Sequence, residues 1–140
     1  MNDFDYTRPV SEALRLAFGS NFPPSDTGGG CICLENDAPL QGSNADVYVL
    51  VGSGFDGPLL TADEREEYHD EHGRYDGYCV GVYGRDTGDV LAMVTDLRAE
   101  TGEDVVALLR HALQLVPEFD GTYVSSTTGL AGTELRERLS

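Results

Sequence analysis

The stretch YCVGVYGRDTGDVLAMVT, residues 78–95, decides the fold. Its two ends, Tyr78 to Tyr83 and Val90 to Thr95, are rich in valine and other strand formers. The six residues between them, Gly84 to Asp89, are polar and contain Asp86-Thr87-Gly88. Two apolar runs around such a turn predict an antiparallel hairpin, with Gly88 in the left-handed position.

Working outward, Val105, Leu109, Ala112, Leu113 and Val116 recur at helical spacing. Thr101 stands where a cap is needed, Glu103 and Asp104 occupy the favourable first turn, and Pro117 stops the helix. Thr122-Tyr123-Val124 then reads as a short strand. Strand, helix, strand predicts a crossover leading from the hairpin back into the same sheet. Upstream, Thr61-Ala62-Asp63-Glu64 is a capping box opening a helix to His72, with Gly73 as its stop. That helix has a thin apolar face and is predicted to lie on the surface, held by Leu59, Leu60 and Tyr68. Cys31 to Leu34 and Val47 to Val51 are apolar runs predicted as central strands buried on both faces. Val10, Ala13, Leu14, Ala17 and Phe18 form one face of an N-terminal helix, with Thr7 as cap, Pro9 in the first turn and Gly19 at the end. Residues 19–30 read as an irregular Gly/Pro/Ser loop, and Glu134–Leu139 as a short closing helix. Together these elements predict one α+β domain over residues 1–140. Its mixed sheet has about five strands, with helices in a single layer mainly on one face.

The 140 residues carry a formal net charge of −16, with nine arginines and no lysine. That field repels phosphate backbones and anionic membranes, so direct nucleic-acid and membrane binding are not expected. Ile32 is the only isoleucine, and depletion of both lysine and isoleucine fits a GC-rich coding bias. No run approaches a membrane span of about 20 apolar residues. The start, MNDFDYTRPV, lacks the charged and apolar regions of a secretory leader, which predicts a cytoplasmic protein. Three cysteines, an odd number, do not suggest a disulfide framework.

Several motifs invite a chemical reading and lose it in context. Gly52-Ser53-Gly54-Phe55-Asp56-Gly57 has the G-x-G-x-x-G form after an apolar strand. Pro58 follows it, the next helix starts only at Thr61, and Asp56 would oppose a pyrophosphate. It is predicted to be a turn leaving the strand. Ser125-Ser126-Thr127-Thr128-Gly129 is predicted to be a polar loop without a basic residue for an anion. Cys31, Cys33, His69 and His72 are zinc-ligand types at a spacing that misses the usual one. The two cysteines are predicted to be small buried hydrophobes on one strand face, the histidines to sit on an acidic helix, and no metal or other cofactor is expected. Cys79 reads as an inert strand thiol.

The densest charge lies between Asp63 and Asp76: seven acids against Arg65 and Arg74. Tyr68, Tyr75 and Tyr78 interleave with it, and tyrosines serve as interface anchors. The sequence thus predicts a non-enzymatic acidic binding protein that engages a basic protein surface, as an inhibitor, an immunity-type protein or an accessory subunit. The expected contact residues are Glu66, Glu67, Tyr68, Asp70, Glu71, Tyr75, Asp76 and Tyr78. Two alternatives stand beside it. In one, the charge is halophilic adaptation and says nothing about a partner. In the other, the chain is a small divalent-metal-dependent enzyme with an acidic cleft near Asp56, Asp76 and Asp96.

Overall fold

The computed structural model describes residues 4–40, 47–54, 57–86, 88–118, 124–129 and 134–139. The elements are α1 (Arg8–Phe18), β1 (Pro24–Asp26), β2 (Ile32–Glu35), β3 (Val47–Ser53), α2 (Ala62–His72), β4 (Tyr78–Gly84), β5 (Val90–Asp96), α3 (Gly102–Leu115), β6 (Val124–Gly129) and β7 (Glu134–Leu139). The strands form one sheet in sequence order, β1 to β7. Every neighbouring pair is antiparallel except β5–β6, which is parallel and bridged by α3. The fold is therefore α+β with a mixed sheet.

The predicted hairpin is present. β4 pairs with β5 from Tyr78–Asp96 to Tyr83–Val90, with a bulge between Val82 and Tyr83. Gly88 takes φ +74° and donates its N–H to the Gly84 carbonyl at 2.8 Å. One face of the sheet is a row of aliphatic side chains, Leu34, Val49, Val51, Val80, Val82, Ala92 and Val94, all fully buried. α3 packs on β4 and β5 over this row, and α1 packs on α3. Val10, Leu14 and Phe18 supply the inner stripe of α1, and Val105, Leu108, Leu109, Ala112 and Leu115 that of α3. Burying such a side chain contributes roughly 1.5–3 kcal/mol, so this layer dominates the stability. Gly102 lets the helices meet. A Cβ there would stand 2.6 Å from the Ala13 Cβ and 2.7 Å from the Pro9 carbonyl oxygen.

Both predicted caps hold, as reciprocal boxes: Thr61 with Glu64 on α2, Thr101 with Asp104 on α3. Gly19 and Gly73 end α1 and α2 in the left-handed conformation. Thr7 is different. Its hydroxyl donates to the Phe4 carbonyl at 2.7 Å, closing a 3-10 turn over Asp5–Thr7 ahead of α1.

Four expectations are corrected. Glu134–Leu139 is a strand, not a helix; it pairs with β6, whose edge needs a partner for its backbone groups. Residues 125–129, expected as a polar loop, belong to β6, where backbone pairing overrides weak local propensity. The 19–30 loop contains the edge strand β1, whose Pro24 is tolerated because an edge leaves one side of the ladder unpaired. Finally, β3 is covered by the core on one face only: Tyr48 and Leu50, on the other face, are half-buried.

Candidate partner-binding surface

α2 buries one residue, Tyr68. An apolar stripe cannot hold it, so rings and cations do. The Arg65 guanidinium lies 3.9 Å from the Tyr75 ring centroid and 4.7 Å from that of Tyr6. Its Nε is 3.7 Å from Asp76 Oδ1, and both side chains are largely out of solvent. Arg74 sits 5.6 Å from the Tyr68 ring and donates to the Tyr75 and Leu97 carbonyls at 3.3 Å each. His72 packs on Tyr68 at 4.1 Å and His69 on Tyr75 at 4.4 Å. The Tyr6 hydroxyl donates to the Leu60 carbonyl at 2.6 Å, tying the N-terminal turn to the start of α2. Guanidinium–ring contacts of this kind contribute about 0.5–2 kcal/mol each, more when desolvated.

The consequence is electrostatic. Arg65 is half-buried between tyrosine rings, and Arg74, though exposed, lies over the Tyr68 ring. Asp63, Glu64, Glu66, Glu67, Asp70 and Glu71 are all exposed. Glu64 closes the cap and Glu66 accepts the Tyr75 hydroxyl at 2.9 Å. That hydrogen bond raises the Tyr75 pKa. Burial pushes Tyr78 from its ordinary 10.0 up to about 12, with Asp76 adding to the shift and Arg65 opposing it.

The eight predicted contact residues therefore separate. Glu66, Glu67, Asp70 and Glu71 are exposed on α2, and Tyr75 is half-buried beside them. Tyr68, Asp76 and Tyr78 are interior, at 9%, 3% and 3% exposure. Tyr78 belongs to the core because it begins β4 on the helix-covered face, and Asp76 because it meets Arg65 beneath the helix. Arg65 carried no signal in the sequence, since its role depends on Tyr6, some sixty residues away. The acids proposed for a cleft also have local work: the Asp96 carboxylate accepts the Arg98 N–H at 2.9 Å, while Asp56 lies outside the described residues.

In the 52–57 motif the described residues Ser53 and Gly57 are drawn together. Ser53 and Gly57 exchange backbone hydrogen bonds at 2.9 and 3.1 Å. The Gly57 carbonyl lies over Gly52, where a Cβ would come within 1.5 Å of its oxygen. Gly52, Ser53, Gly54 and Gly57 border a 450 Å³ cavity on the uncovered sheet face, lined by Cys33, Leu50, Cys79, Tyr83 and Met93 among others. Tyr83 folds over Gly81 and stacks on Tyr48 at 5.2 Å, shielding this face without a helix. Cys33 is buried, but Cys31 precedes β2 and is exposed, which corrects the expected buried pair. Burial raises the thiol pKa of Cys33, with Cys31 and Cys79 adding to it. Burial also raises Cys79, opposed by the Thr95 hydroxyl that donates to its sulfur at 3.3 Å. Neither environment favours a reactive thiolate. His69 and His72 lie on α2 against tyrosine rings. Among the described residues no three His, Cys, Asp or Glu side chains gather to hold a metal ion. Among them, too, no helix is long and apolar enough to cross a membrane.

No family model, curated protein or solved structure matches the chain.

Proposed function

We propose that this chain is a non-enzymatic binding protein whose partner is a basic protein surface, engaged through the outward side of α2. One observation carries the reading. Arg65, the one arginine of α2, is drawn between tyrosine rings, and the exposed Arg74 beyond the helix lies over the Tyr68 ring, while six carboxylates of the helix face solvent. A solvated helix face normally intersperses both signs. Six exposed carboxylates against one exposed arginine, Arg74, leave this face with a net negative field, which steers a basic partner and sets its association rate. The half-buried Tyr75 ring, fixed between Arg65 and His69, adds a rigid aromatic element at the rim. The same field disfavours nucleic acid as the ligand. Inhibitors and immunity-type proteins that occupy a basic surface work by this complementarity.

The test is charge reversal. Glu67→Arg, Asp70→Arg and Glu71→Arg together leave the capping box and the Tyr75 contact intact. Basic proteins captured from the native host by the unmodified chain should be lost by the triple variant. For a purified partner, the association rate should fall and its salt dependence flatten. Capture of the same partners with unchanged rates and salt slope would remove α2 from the interface.

A further inference from the structure

α3 carries two stripes. The inner one makes the core. The outer one runs Glu103, Val106, Ala107, Arg110, at i, i+3, i+4 and i+7. Ala13, Leu16 and Ala17 of α1 lie alongside it, and together they line a groove of 510 Å³. Leu16 is 71% exposed, the most exposed large apolar side chain among the described residues.

The charge on these helices differs from the rest of the chain. Arg8, Arg15 and Arg110 balance Glu12, Glu103 and Asp104, so α1 and α3 together are neutral in a molecule of −16. Arg8 pairs with Asp5 at 3.4 Å and Arg15 with Glu12 within α1. A second copy of this chain is repelled by most of the surface, but not here.

The order of the outer stripe adds a geometric argument. It reads acidic, apolar, small, basic. We infer that this face binds a second copy of the chain, with the two α3 helices antiparallel about a two-fold axis between Val106 and Ala107. An interface of this kind must be self-complementary. Under that symmetry Glu103 faces Arg110 of the second copy, and Arg110 faces its Glu103. The two positions are separated by seven residues, about 10.5 Å of helix. Val106 meets Ala107 of the second copy across the axis. The small side chains of Ala13, Ala17 and Ala107 permit close approach, and each Leu16 enters the other copy's groove. This surface is distinct from α2, so each copy in the dimer retains its acidic face.

Light scattering or sedimentation of the full chain tests this, from about 1 to about 300 μM at roughly 0.15 M salt. The mass should rise from 15.1 kDa toward twice that value. Leu16→Glu and Glu103→Arg should each raise the dimer dissociation constant about tenfold or more, with circular dichroism unchanged because both side chains are exposed. The double swap Glu103→Arg with Arg110→Glu should recover the original constant to within about threefold, a rescue that a merely structural role would not produce. The α2 triple reversal should leave self-association intact. Three outcomes overturn the inference. The chain could remain at 15.1 kDa throughout, in low salt and in molar salt alike. The dimer could be indifferent to Leu16→Glu. Or the swap could bind as weakly as the single reversal.

Discussion

Residue by residue, this chain shows close backbone approach outweighing local preference. Gly102 opens α3, where alanine is the better helix former by about 1 kcal/mol. Propensity alone predicts that Gly102→Ala stabilises the protein. The 2.6 Å approach to the Ala13 Cβ and the 2.7 Å approach to the Pro9 carbonyl say otherwise. Neither neighbour is the end of a flexible side chain, so α1 and α3 must part. We expect a net loss of about 1–3 kcal/mol in urea unfolding. A gain in stability would show that the helices can separate at no cost. In the sequence this glycine follows a capping threonine and looks like a poor first helical residue. Only α1, packed across it, gives it a purpose. Gly88 is the opposite case, readable from its place after Asp86 and Thr87, because a hairpin turn needs that conformation locally.

At the scale of elements, the sequence located the helices and strands that have strong internal period or explicit caps. The hairpin, α1 and the two boxed helices were legible for that reason. The edge strands were not. β1 holds Pro24, and β7 reads as a helical Glu/Arg/Leu run; each is a strand because a neighbour offers unpaired backbone. α2 was legible as an element but not in its attachment. It hangs on Arg65, which meets a buried carboxylate and two tyrosines. Arg65→Met should cost about 3 kcal/mol, since it strands Asp76 below the helix. Adding Asp76→Asn should return part of that loss, with a coupling of about 1–3 kcal/mol in a double-mutant cycle followed by chemical denaturation. Additive losses would mean the pair does not interact, and that the rings alone hold α2.

For the molecule as a whole, charge sets the terms. At −16 the folded state repels itself, and the repulsion has a range of about 30 Å in 0.01 M salt against about 3 Å in 1 M. The melting temperature should therefore rise with sodium chloride, most steeply at low ionic strength. A flat profile would show acids spaced or paired well enough to cancel the effect. A rise continuing into molar salt would favour environmental adaptation as the origin of the charge. Composition alone determined the sign and size of that field, and local patterning determined the class of fold, because net charge and backbone period need no knowledge of neighbours. The tertiary structure decided which charges face out. Arg65 turns onto the ring of the distant Tyr6, Asp76 and Tyr78 are withdrawn from solvent, and the packing of α1 on α3 sets Glu103 and Arg110 along one groove. Those outcomes depend on contacts between residues far apart in the chain. Such contacts leave no period, cap or turn signal to read in advance.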